Sequence, residues 1–239
     1  MAPLLSVRDL TITRPPPSST PILSSVSLDL SPGEILIVRG SSGSGKSTLL
    51  KCIAELNIYQ SGTITLHGTT AREMEGGVPG WRVRVGYVPQ RSSLLPGTPQ
   101  DFLRTIKEFK ARKQSKGDGE GEGKEPMDLA QEWGIEKVLW TREWSTLSGG
   151  EAQRIALAIA VGIGGAEVLL LDEPTSALDE ETMKKVEKSL VEMLPRREGQ
   201  SSNSSSPRYG TGPKALIWIT HSPEQADRVG TRSIDITRE

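Results

Sequence analysis

The sequence predicts an α/β fold in which a parallel-centred sheet carries a helical lobe inserted between its strands. Three observations point there. A glycine-rich loop stands between an apolar run and a helix-like run. Strand-like and helix-like segments alternate along most of the 239 residues. The runs Val168–Leu171 and Ala215–Thr220 are almost continuously apolar, the composition of strands covered on both faces of a parallel sheet.

The bulk numbers narrow the class. Hydrophobic residues make up 35% and charged residues 25%, which fits a globular domain. A net charge of −1 gives no bulk electrostatic case for nucleic acid as a partner. No apolar run approaches the ~18 residues that a membrane span requires. Met1–Leu5 is followed by Arg8 and Asp9, which is not the pattern of a secretory signal. The single Cys52 excludes an internal disulfide and points to a reducing compartment, with the thiol expected as a small buried group.

In chain order, Leu5–Thr13 reads as a strand. Residues 14–21 form a proline-rich link. Val26–Leu30 alternates apolar and polar residues, as a half-exposed strand does. Ser31–Glu34 is a turn, Ile35–Val38 a buried strand, and Leu49–Leu56 helical. Thr63–Leu66 is a further alternating strand. Gly76, Gly77, Pro79 and Gly80 read as a loop before a strand at Val83–Val88. Phe102, Leu103, Ile106 and Phe109 have helical spacing. Residues 113–126 hold Gly, Glu and Lys with almost no apolar side chain and read as a disordered insert; 196–213 reads as a second. Leu129–Trp140 and Leu147–Val161 read as helices. Thr182–Leu194 is amphipathic, with Met183, Val186, Leu190 and Leu194 on one side. Ser222-Pro223 has the form of an N-cap and first-turn proline, and Ile234–Ile236 reads as a last strand. The expected division is one domain, with 1–90 and 161–239 as the core and 91–160 as the helical lobe. The five tryptophans, Trp81, Trp133, Trp140, Trp144 and Trp218, read as packing.

Three stretches carry chemistry. Gly40-Ser41-Ser42-Gly43-Ser44-Gly45-Lys46-Ser47-Thr48 has the G-x-x-x-x-G-K-[ST] spacing of a phosphate-binding loop. Its glycines let backbone N–H groups turn inward as an anion nest, and the following helix adds positive potential from its N-terminus. Lys46 can reach β- and γ-phosphates and the Ser47 hydroxyl can ligate Mg²⁺. The bland alternative is a flexible Gly/Ser turn, which the flanking strand and helix argue against. Val168–Leu171 ends in Asp172-Glu173-Pro174. Asp172 would bind Mg²⁺ directly or through water, and Glu173 could polarise an attacking water; alone, the pair would read as two solvated acids. Leu147-Ser148-Gly149-Gly150-Glu151 places a serine and two glycines at a helix N-terminus, a second anion site. Two phosphate loops with one nucleotide make sense if the second serves a nucleotide held by a neighbouring subunit.

Taken together, these motifs resemble the ATP-binding cassette (ABC) ATPase domain over nearly the whole chain. Gly40–Thr48 matches its Walker A loop and Gln90 its Q-loop glutamine. Leu147–Glu151, with Gln153-Arg154 following, matches its signature. Asp172 and Glu173 match Walker B and the catalytic glutamate, Ser176–Asp179 the D-loop, and His221 the switch histidine. All six stand in the family's order. The resemblance implies an α/β P-loop NTPase fold: a mixed sheet with a parallel core, an inserted helical lobe and an N-terminal antiparallel β part.

It also implies a mechanism. Two cassettes would sandwich two ATP molecules, each between one subunit's Walker A loop and the partner's Ser148, Gly149 and Gly150. Glu173 would orient water, His221 would contact the γ-phosphate, and Lys46 would hold the phosphates. Mg²⁺ would be held by Ser47, Asp172 and Gln90. The cofactors would be ATP and Mg²⁺, and the partners a second cassette, in a homodimer, and a separate membrane subunit on the cytoplasmic face. Where the family stacks adenine on an aromatic residue, this chain has Thr13-Arg14-Pro15-Pro16-Pro17, so the base would stack on Arg14 or a proline. Residues 93–102 look more like exporter-type than importer cassettes, and the overall look is that of stand-alone cassettes such as bacterial iron-export ATPases and the plant aluminium-tolerance cassette. A soluble ABC protein acting on ribosomes or DNA, and a non-catalytic regulatory module, are the alternatives; the first usually carries two cassettes or a long coiled coil, and the second would lack Glu173 or His221.

Overall fold

A computed structural model describes residues 2–14, 20–91, 96–115, 124–196 and 212–236. Two sheets organise the chain. The first is antiparallel: β1 (Leu5–Thr13) lies between β2 (Pro21–Leu30) and β4 (Ser61–Leu66). The second is parallel throughout. Its order is β5 (Val85–Val88), β6 (Val168–Asp172), β7 (Ala215–Ile219), β3 (Ile35–Arg39), β8 (Arg232–Asp235). The expected parallel core and antiparallel N-terminal part are both present, as separately hydrogen-bonded sheets.

The period-2 alternation of the buried strands divides the core in two. On one face of the parallel sheet, Ile35, Ile37, Leu169, Leu171, Leu216 and Trp218 pack with helical side chains such as Leu157, Val186 and Leu190. On the other, Leu36, Val38, Leu170 and Ile217 pack with the antiparallel sheet and with α1 (Lys46–Ile53). A strand sandwiched this way needs apolar residues at consecutive positions, which is why β3, β6 and β7 lack the alternation of β1.

Between β4 and β5 the chain forms α2 (Gly77–Arg84). The sequence expectation was a loop there, with a strand from Val83. Burial decides against that: Trp81 is fully buried and its indole N–H donates to the carbonyl of Ile53 at 2.9 Å. Tertiary anchoring overrides the weak helix propensity of Gly-Val-Pro-Gly.

The segment between β5 and β6 is helical. It holds α3 (Pro99–Lys107), α4 (Lys110–Ser115), α5 (Pro126–Glu132), two short 3₁₀ turns at Lys137–Thr141 and Trp144–Thr146, and α6 (Gly149–Gly162). The helix expected over Leu129–Trp140 is broken because Gly134 takes a left-handed φ of 80°. Of the insert expected at 113–126, residues 113–115 end α4 and Pro126 opens α5, while 116–123 lie outside the described residues. The second insert, at 196–213, falls largely on 197–211, also outside them, as do 15–19 of the proline-rich link and 92–95 of the exporter-like stretch.

Helix α7 (Glu180–Met193) follows β6, and α8 (Pro223–Val229) follows β7 with Ser222 as its N-cap, as the sequence indicated. All five tryptophans are buried, as is the free thiol of Cys52. No helix among the described residues is long and apolar enough to cross a membrane.

Candidate functional site

Strand register brings the motif residues to one edge. Val38 pairs with Ile219, Ile219 with Asp172, and Leu171 with Val88. The segments leaving these strands carry Gly40–Thr48, His221, Glu173 and Gln90. All therefore open at the carboxyl end of a parallel sheet, where α/β proteins place their ligand crevice.

The glycine-rich loop is tightly built. Gly40, Gly43 and Gly45 have φ of 147°, 76° and 98°. A Cβ on Gly40 would sit 2.3 Å from the carbonyl oxygen of Ile236, and one on Gly45 would sit 2.8 Å from Ile22. Gly45 caps α1, and Lys46 is its first residue. Lys46 is 6% exposed, and its ammonium donates to the carbonyls of Gly40 and Ser41, both at 2.9 Å. Ser41, Ser42 and Gly43 form the exposed rim, with Ser47 and Thr48 half-buried in the first turn of α1. Ser44 is buried, and its hydroxyl has no hydrogen-bond partner among the described residues. A buried orphan hydroxyl two residues from a buried lysine, in a loop with three left-handed glycines, fits a phosphate chain.

At the end of β6, Asp172 is buried and its Oδ2 accepts a hydrogen bond from the Tyr87 hydroxyl at 3.0 Å. Glu173 departs from the strand direction with φ 49°, a left-handed conformation rare for a residue with a Cβ. Its two carboxylate oxygens are held from opposite sides. Gln90 Nε2 donates to Oε2 at 2.9 Å, and His221 Nε2 lies 3.1 Å from Oε1. Gln90 is thus placed on Glu173 rather than on Asp172. Among the described residues no three His, Cys, Asp or Glu side chains cluster as a metal site.

The second glycine loop opens α6. The Ser148 hydroxyl caps α6 by accepting from the Glu151 amide at 3.2 Å, while the Glu151 carboxylate accepts from the Ser148 amide at 2.7 Å. This capping box holds Glu151 below the usual carboxylate range, chiefly through the Ser148 backbone hydrogen bond. Gly149 is exposed, and Gly150 lies against Ala177, whose carbonyl oxygen would be 3.0 Å from an added Cβ. Among the described residues no hydrogen bond joins Ser148, Gly149 or Gly150 to Gly40–Thr48. The Ser176–Asp179 stretch ends with Asp179 capping α7.

Two polar features of this region escaped sequence reading. One is Tyr87, whose position two residues after the start of β5 gave no chemical signal. The other is a buried network in which Gln225 donates to Thr175 and Glu187, and Arg228 makes a bidentate pair with Glu187.

A parallel sheet with a glycine loop and following helix at its carboxyl edge defines a P-loop NTPase fold. The family described as ABC transporter matches residues 23–176. Over 164 residues the chain is 36% identical to the glutamate transport ATP-binding protein GluA of Corynebacterium glutamicum, covering 69% of this chain and 66% of that protein. Over 172 residues it is 33% identical to the glutamate/aspartate import ATP-binding protein GltL of Escherichia coli, covering 72% and 69%. It is also 34% identical to the macrolide export ATP-binding/permease protein MacB of Bradyrhizobium diazoefficiens, covering 86% of this chain and 28% of MacB. Among solved structures, the dimeric post-hydrolysis state of the ATP-binding cassette MJ0796, bound to ADP and Pi, superposes with a TM-score of 0.74 at 24% identity, covering 98% of this chain and 96% of that one, a likeness of fold. The chain belongs to the ABC transporter family and has the fold of its ATP-binding cassette.

Proposed function

We propose that this chain binds and hydrolyses ATP as the cassette subunit of a transporter, working on a separate membrane-embedded subunit from the cytoplasmic face. The observation that carries the reading is Glu173. Its carboxylate is gripped by Gln90 and His221, one residue beyond Asp172, on the edge that also carries the phosphate loop. Lys46, Ser44 and the loop amides would take the phosphates. Ser47 and Asp172 would hold Mg²⁺, with Gln90 beside them. Bound there, Mg²⁺ would neutralise charge developing on the β- and γ-phosphates.

Glu173 is placed to accept a proton from water, and His221 to orient that carboxylate and meet the terminal phosphate. Among the described residues Ser148, Gly149 and Gly150 make no hydrogen bond to Gly40–Thr48; Ser148 and Gly149 are exposed, which leaves them open to a nucleotide held by a second copy. Gln90, Ser148 and Glu173 would then belong to composite sites completed by dimerisation. Arg14, directly after β1, would offer a cationic face for stacking.

The test is affinity purification from native membranes with identification of partners, together with turnover by the purified chain. A membrane subunit recovered with ATP-hydrolysing cassette supports the reading. Recovery of ribosomal proteins alone would replace it with a ribosome-acting ABC ATPase.

A further inference from the structure

Gln153 lies in the second turn of α6 and is 2% exposed. Its carboxamide makes three hydrogen bonds, and each goes to the main chain of a different place. Nε2 donates to the Gln90 carbonyl at 3.2 Å and to the Glu173 carbonyl at 3.1 Å, and Oε1 accepts from the Ala177 amide at 3.1 Å. Those groups lie after β5, after β6 and before α7. One buried side chain therefore ties α6 to both the Gln90 loop and the turn that holds Glu173.

The tie falls where support is needed. Glu173 has a left-handed backbone, which persists only where the surroundings fix it. Its amide donates to Ile219 at 3.1 Å and its carbonyl accepts from Gln153, so the residue is pinned at both ends. The helix that supplies the second pin is the one that begins at Ser148–Gly150.

We propose that Gln153 is a positioning residue that couples the placement of α6 to the geometry of Glu173 and Gln90. A shift of α6 against the sheet pulls on both carbonyls at once, so the Gln90–Glu173 hydrogen bond follows the lobe. The inference rests on Glu173 acting as the hydrolytic base. It assigns Gln153 no contact with nucleotide, and none of its three hydrogen bonds goes to Gly40–Thr48.

The test uses the full chain with Gln153→Met, which keeps the volume and removes all three hydrogen bonds, and Gln153→Glu, which removes the two donors. Amide hydrogen exchange is read without nucleotide, and turnover is read against ATP. The expected result is exchange at least tenfold faster across 88–91 and 173–178, with β3 and α1 unchanged. Turnover should fall at least tenfold while KM for ATP stays within twofold. Unchanged exchange in those two stretches, turnover within twofold of wild type, or a raised KM at full turnover would each overturn the proposal. Wild-type protein supplies a check that needs no variant: the Ala177 amide should be protected, and its free exchange would also overturn the proposal. A wild-type chain that hydrolyses no ATP would instead remove the proposed function, and the exchange results would then decide the role of Gln153 alone.

Discussion

The Tyr87 hydroxyl donates to Asp172 Oδ2 over 3.0 Å, across the β5–β6 strand pair. Burial first, and the charge of Asp172 second, push the phenol well above its ordinary range, so it remains a donor at any working pH. Tyr87→Phe removes that donor and frees the carboxylate to rotate. The expected outcome is a several-fold rise in the Mg²⁺ concentration giving half-maximal turnover, with a stability loss of about 1 kcal/mol. An unchanged Mg²⁺ titration would separate Tyr87 from the metal role proposed for Asp172.

Glu173→Gln keeps the shape of the side chain and removes its basicity. Turnover should fall by about 10²-fold or more, since a general base contributes on the order of 10²–10⁴. ATP should remain bound, and the protein should accumulate as a nucleotide-held dimer on size exclusion. Wild-type turnover from this variant would rule out Glu173 as the base.

Ser148 has one job in the fold and a second under the proposed function. Its hydroxyl caps α6, and loss of a serine cap costs about 0.5–2 kcal/mol. Ser148→Ala should therefore lower the melting temperature modestly. Under the composite-site proposal Ser148→Trp should in addition cut turnover at least tenfold at every protein concentration, because a nucleotide held by a second copy could no longer approach. Full turnover by dilute, monomeric Ser148→Trp would defeat the composite-site picture.

Glu167 joins β4 to the parallel sheet at the edge remote from the phosphate loop. It lies 2.7 Å from His67 Nε2 and 2.6 Å from Lys214 Nζ. Burial works to raise its pKa, but the hydrogen bonds from Lys214 and His67 outweigh it, and the carboxyl ends below its ordinary value. A lowered folded value means stability that is fully present above the unfolded value of about 4.3 and is lost as pH falls through the folded one. Glu167→Gln should thus cost about 1–3 kcal/mol near pH 7. The difference from wild type should shrink towards pH 3, followed by thermal melts across that range. A constant difference would show that packing, not charge, makes the contribution.

Local chemistry was the legible part of this chain. Leu5–Thr13 coincides with β1 because one face is buried and alternation reports it. Ser222-Pro223 opened a helix because a cap and a first-turn proline act on their own neighbours. The backbone of Gly40–Thr48 could be read for the same reason: the glycines and the helix that follows lie within nine consecutive residues. What stayed hidden depends on partners distant in sequence. Gly-Val-Pro-Gly-Trp became helical only because Trp81 docks on Ile53. Gln153 and Tyr87 acquire meaning only when three strands and a helix bring their partners within hydrogen-bonding distance. Gln90 could be located from the motif order, but not its hold on Glu173.

The closeness of Gly40 to the Ile236 carbonyl also sets a schedule. Strand β8 pairs with β3 although the two are separated by nearly two hundred positions, as the Ile35–Thr231 hydrogen bond illustrates. A ribosome adding 5–20 residues per second needs about 10–40 s to travel that distance. During that interval the nascent phosphate loop lacks one of its walls. A chain stalled before β8 would display the loop without the strand that braces it.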